Sequence, residues 1–143
     1  MSSYRSRVNE ALRGGRVILA SSSPRRREIL EHIGLRFQVE KPGYDEAPVM
    51  RELARPRNAL IFGTHLRKKL KSVILGKYHS LPKKNDHVVF CFDTVVHEGH
   101  QVMGKPGSYD AAFEMLRLLN GERHWVVTIC LAAFAGKVVL NFF

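Results

Sequence analysis

The chain has 143 residues, 45% of them hydrophobic, and a formal net charge of +10, which suits one domain with its own core and excludes a wholly disordered polymer. The surplus of Lys and Arg calls for an anionic partner, whether a nucleotide, a nucleic acid or an acidic surface, and charge does not choose among them. No apolar run nears the roughly 20 residues that span a bilayer, and the N-terminus lacks the apolar centre of a secretory signal, so a cytoplasmic protein with no membrane partner is expected. Cys91 and Cys130 lie in apolar runs without metal-ligand spacing and read as buried, reduced structural thiols.

In chain order, residues 1–15 are rich in Ser and Arg and nearly free of acid. They read as a flexible basic extension, with a mitochondrial targeting peptide as the lesser reading. The apolar run Val17-Ile18-Leu19-Ala20 stops at Ser21-Ser22-Ser23-Pro24-Arg25-Arg26-Arg27, which predicts a strand, a tight loop and a helix start. Ser22 or Ser23 can cap that helix and Pro24 suits its first turn. Its core face would be Ile29, Leu30 and Ile33, with Gly34 as a left-handed C-terminal cap. Free N–H groups, hydroxyls and guanidinium groups therefore converge at one spot, a combination suited to phosphate.

Leu35 to Glu40 alternates in the manner of a half-buried strand, and Lys41-Pro42-Gly43-Tyr44 breaks it ahead of a loop holding Asp45 and Glu46. From Pro48 to Gly76 the apolar spacing predicts helix in two pieces, broken near Pro56 or Gly63, with Gly76 as a cap. Between Arg51 and Lys84 the basic residues face the single acid Glu52, and a solvated basic face is the default reading of such a run. His87 to Phe92 is a near-continuous apolar run, hence a strand buried on both faces, with Asp93 at its carboxyl end, where ligands bind in open α/β sheets. Val95 to Val102 reads as a hairpin turning at Gly99; its His97 and His100 are loop histidines rather than metal ligands. Gly104-Lys105-Pro106 would bring a cation toward Asp93. Ser108 caps the next helix, whose core face would be Ala112, Met115, Leu116 and Leu119, with Gly121 past its end. His124 to Ala133 and Val138 to Phe143 are strands joined by a turn at Ala135-Gly136-Lys137, the last strand leaving a sheet edge uncovered.

The serine-proline-arginine stretch resembles the first motif of the Maf family of nucleoside triphosphate pyrophosphatases. Val88-Val89-Phe90-Cys91-Phe92-Asp93-Thr94-Val95-Val96, followed by Gly104-Lys105-Pro106, is similar to that family's strand-Asp-Thr-Val-Val and Gly-Lys-Pro motifs, and Gly121-Glu122-Arg123-His124-Trp125-Val126-Val127-Thr128 to its next one. Motifs in series, in order and at the right spacing over roughly Arg16 to Leu131, are far more specific than one alone. The chain departs from the pattern at Phe92, where the family has a small residue, and over Arg55 to Thr64. Family members also continue past Phe143 with Lys-Ala-Gly and Gln-Gly segments, so the chain reads as an incomplete member.

The resemblance implies an α/β fold, a central mixed twisted sheet flanked by helices of the Maf and inosine-triphosphatase type, as one nucleotide-binding domain over residues 16–143. It implies hydrolysis of a nucleoside triphosphate between its α and β phosphates. Asp93 would deprotonate water or, with Glu46, hold Mg²⁺ or Mn²⁺. Ser21, Ser23, Arg25, Arg26, Lys69 and Lys105 would meet the phosphates, with Lys68 a near tie for Lys69. Thr94 after the Asp resembles the dTTP and UTP branch. Outside this class stand a catalytically impaired nucleotide binder and a basic nucleic-acid-binding module on Arg51 to Lys84. The nucleic-acid reading is the weaker, because Phe62 and Tyr78 alone supply aromatic rings there. A homodimer is the assembly that the open sheet edge would favour, and low turnover of this exact chain is expected from a site left open on one side.

Overall fold

A computed structural model describes residues 4–45, 47–53, 71–82, 84–98 and 101–142. Its centre is a sheet of six strands in the order Gln38–Val39 (β2), Val17–Ala20 (β1), Val88–Glu98 (β3), Trp125–Phe134 (β5), Lys137–Phe142 (β6), with Gln101–Met103 (β4) against β3. Val17–Ala20 forms β1, buried throughout, and pairs in parallel with Val88–Glu98 (β3) and with the short edge strand Gln38–Val39 (β2). A parallel neighbour requires a crossover, and Pro24–His32 (α2) supplies it between β1 and β2. The rest of the sheet is antiparallel: β3 with Gln101–Met103 (β4) and with Trp125–Phe134 (β5), and β5 with Lys137–Phe142 (β6). The fold is thus the mixed α/β sheet that the sequence predicts. Ala135 at φ 50° and Gly136 at φ 76° make the β5–β6 turn, both in the left-handed region that tight hairpins need.

Alternate residues of β3 face opposite sides of the sheet. Val89, Cys91 and Val95 share a buried cluster with Ile18 and Ala20 of β1, Ile129, Leu131 and Ala133 of β5, and Val102 of β4. A helix described over residues 71–79 (α4) closes this face with Ile74 and Tyr78, and Leu81 follows. On the other face Val88 and Phe134 enclose Ala11, with Val8, Leu12 and Phe90 around them.

Ala11 belongs to Tyr4–Arg13 (α1), a helix where a flexible extension was expected. Val8, Ala11 and Leu12 recur at helical spacing, and that small apolar stripe, not the basic composition, decides the local structure. Four further expectations change. In α2 only Leu30 is buried, and Ile29 and Ile33 lie 62% and 69% exposed; Gly34 does end the helix at φ 73°. The alternating stretch before Glu40 contributes only Gln38 and Val39 to the sheet, both exposed. Gly76 lies inside α4 rather than at its end, and the Tyr44 ring occupies the space a side chain there would fill. Helix Tyr109–Leu119 (α5) is capped by Ser108 Oγ, which accepts the Ala111 N–H at 3.1 Å, yet none of its residues is buried. Ala47–Leu53 (α3) lies where the first piece of the long helix was expected; its break near Pro56 or Gly63 lies outside the described residues.

Candidate functional site

Strand β3 has eleven residues and β1 only four. Along one edge, Val88 to Cys91 pairs with β1 and Val96 to Glu98 pairs with β4. Phe92 to Val95 lies between them, on a stretch of edge with no strand partner among the described residues. Asp93 therefore does not terminate the strand, as its place after the apolar run suggested; β3 continues through it to Glu98. The notch arises because β1 stops at Ala20 and turns into α2.

Ser21, the first residue after β1, is buried. Its Oγ accepts the Ser23 N–H at 3.2 Å and an Arg26 Nη1 hydrogen at 3.0 Å. Ser23 has the extended N-cap backbone with Pro24 after it, but its side chain makes no cap hydrogen bond, so the serine expected as cap leaves the first-turn N–H groups to another acceptor. Arg26 reaches from that first turn across the notch. Its Nη1 also donates to the Phe92 carbonyl at 3.2 Å, its Nη2 donates to Thr94 Oγ1 at 3.1 Å, and the guanidinium stands 5.8 Å above the Phe92 ring. The carbonyl that β1 is too short to engage thus has a charged donor. Thr94 Oγ1 lies 3.0 Å from Thr128 Oγ1 of β5, its cross-strand partner.

Asp93 points to the opposite face. Its Oδ1 accepts the Thr94 N–H at 3.0 Å and stands 3.5 Å from Lys77 Nζ of α4, each side chain being 12% exposed. A pair so shielded is held by its geometry and by the high cost of leaving either charge unmatched, rather than by a large net gain. Close by, burial pushes the Cys91 thiol up to about 12, with Lys77 opposing and Cys130 adding to the shift. Burial also raises the Cys130 thiol against the pull of Arg26. Both cysteines are free thiols; Cys91 is buried as expected, whereas Cys130, on the opposite face of the sheet, is only half-buried.

Ser21, Ser23, Arg26, Thr94 and Asp93 thus gather around the notch. Arg25 is exposed on α2 and Lys105 on the loop after β4. Glu46, Lys68 and Lys69 lie outside the described residues, as does the hairpin turn at Gly99 and His100. Sequence reasoning missed Lys77, which it counted only as one of many basic residues. The signal was available: Val73, Ile74, Lys77, Tyr78 and Leu81 recur at helical spacing, and of these only Lys77 is charged. Among the described residues no three His, Cys, Asp or Glu side chains gather as metal ligands, and no helix is long and apolar enough to cross a membrane.

Comparison with known proteins gives the chain a family. The family model described as Maf-like protein matches residues 16–140. The chain is 38% identical over 122 residues to a dTTP/UTP pyrophosphatase of Roseobacter denitrificans, covering 85% of this chain and 58% of that protein. It is 36% identical over 112 residues to the protein of the same name from Alkaliphilus oremlandii, with 78% and 53% covered. A third, from Thermotoga petrophila, is 36% identical over 119 residues, with 79% and 50% covered. The chain spans between half and three-fifths of the length of these curated relatives.

Proposed function

The chain belongs to the Maf-like protein family, and on that premise we propose that it serves in the hydrolysis of a nucleoside triphosphate, of the dTTP or UTP type, to the monophosphate and pyrophosphate. The observation that carries the reading is the notch in the edge of β3, where Ser21, Arg26 and Thr94 of one face and Asp93 of the other flank a single gap between β1 and β4. A ligand lying across that gap meets groups of both faces. The first turn of α2, with N–H groups that no serine side chain caps, offers partial positive charge to a phosphate. Arg25 and Lys105, both exposed, add positive charge before and after the notch strand in sequence, and Arg26 holds the loop to β3.

In the proposed reaction Asp93 accepts a proton from water as the water oxygen bonds to the α-phosphorus. The bond from that phosphorus to the bridging oxygen breaks, and pyrophosphate leaves with the electron pair. Such chemistry depends mainly on positioning and on charge stabilisation. A divalent cation held by Asp93 and Glu46 is what the resemblance implies. Glu46 lies outside the described residues, and Asp93 faces an ammonium group at 3.5 Å, which opposes a dication there, so no step here passes through a metal. The substrate preference rests on the names of the relatives and on Thr94.

The test is pyrophosphate release from dTTP, UTP and methylated GTP by the parent chain and by Asp93→Asn. A preference for dTTP or UTP is expected, with a loss of about 10²-fold or more in Asp93→Asn, the scale of a missing general base. An unchanged rate in the variant removes Asp93 from the chemistry; preference for methylated GTP overturns the substrate assignment.

A further inference from the structure

The charge at Asp93 is balanced from inside the protein. Lys77 is carried on α4, whose Ile74 and Tyr78 are locked in the core beneath the sheet, so its position follows from packing rather than from a chance surface encounter. Its ammonium group reaches Oδ1 at 3.5 Å, and both side chains are almost withdrawn from water. Oδ1 also accepts the Thr94 N–H, which fixes the carboxylate relative to β3. Among the described residues this side of the sheet also carries the Cys91 thiol, His97 further along β3, and the apolar Val95 and Ile129; Arg26 lies across the sheet with Thr94. A dication approaching Asp93 would have to desolvate next to a fixed positive charge, and like-charge repulsion at such separations is strong where water is scarce.

We propose that Lys77 is a resident counter-ion, a positioning residue whose ammonium takes the place beside Asp93 that a divalent cation would otherwise occupy. The inference rests on Asp93 lying at the proposed site but not on turnover, because binding of a cation is measured without nucleotide. It assigns Lys77 two effects: it holds the carboxylate in one orientation, and it sets the selectivity of that carboxylate against dications.

Mn²⁺ binding followed by electron paramagnetic resonance, using the full chain and no nucleotide, tests this directly. The parent and Asp93→Asn are expected to bind Mn²⁺ alike, because Asp93 contributes nothing to its affinity while Lys77 is present. Lys77→Gln and Lys77→Met are expected to gain an Asp93-dependent site at least about tenfold tighter, abolished by adding Asp93→Asn, and Lys77→Arg is expected to behave as the parent. Parent Mn²⁺ affinity that falls in Asp93→Asn overturns the proposal, and that measurement needs no Lys77 variant to fold. Unchanged affinity in a folded neutral variant overturns it equally. Absence of pyrophosphate release would count against the proposed reaction and leave these outcomes as they stand.

Discussion

The two faces of β3 differ although they are made of alternate residues of one strand. On the face under α4, Val89, Cys91 and Val95 are buried and the Asp93 carboxyl lies 3.5 Å from the Lys77 amine. On the other, α1 covers only the end near Val88 and Phe134; beyond Phe90 the strand presents Phe92, Thr94 and, from β5, Thr128 and Cys130, exposed or half-buried and tied together by Arg26. A covered face can hold a charge only by bringing a partner with it. An open face can hold several polar groups in one geometry at little cost, because water satisfies whatever they leave over. The first arrangement suits a fixed reactive group, the second a surface that reads a ligand.

Thiol chemistry should separate the faces most widely. Cys91 is fully buried, and its thiol is raised to about 12 by burial from an ordinary 9.0. Cys130, half-buried on the open side, should react with a thiol reagent at pH 8 on the order of a hundredfold faster, since Cys91 reacts only when the sheet opens. A mass-spectrometric time course checks this; equal rates would mean that α4 does not close its face. The same shift gives a pH dependence. The folded thiol titrates above the unfolded one, so its contribution is complete below about pH 9 and declines as pH climbs toward 12. Urea midpoints at pH 8 and pH 11 should fall more in the parent than in Cys91→Ala.

Neighbouring residues of β5 sharpen the contrast. Ile129→Ala, on the covered face with no exposure, should cost about 2–5 kcal/mol in urea unfolding. Thr128→Val, one residue away and exposed, loses only the hydroxyl contact with Thr94 and should stay within about 0.5 kcal/mol. Similar values for the two would remove the distinction between the faces.

Where motif and local pattern agreed, the sequence was legible. The β1–α2 joint, with Ser21 at the end of β1 and Arg26 in the first turn of α2, and the cap at Ser108 all follow from short-range chemistry. What escaped depends on partners distant along the chain. Lys77 was hidden among basic neighbours because its distinction comes from the core face it shares with Ile74 and Tyr78. The length of β3 was underestimated because an acid in an apolar run reads as a stop, whereas here Lys77 and the Thr94 N–H meet the Asp93 carboxyl in mid-strand. Helix α5 shows the converse error. Its apolar stripe is evident, yet Phe113 and Leu116 are 57% and 67% exposed, because periodicity identifies a face without naming what packs on it.

The contact between Gly76 and Tyr44 has a practical corollary. In α4 the glycine looks like an easy target for stabilisation, since alanine in a helix interior is ordinarily better by about 1 kcal/mol. Here the sign reverses, because a methyl group at that position would drive into the Tyr44 ring. The loop before α3 would then have to lift from α4, straining the hydrogen bond from the Gly43 N–H to Ser80 Oγ, 3.1 Å long. Lys77 is the very next residue, so a thermostabilised variant chosen on helix propensity alone would detune the spacing at Asp93. The missing side chain thus works as a shim of zero thickness that sets the depth at which an ammonium group is seated.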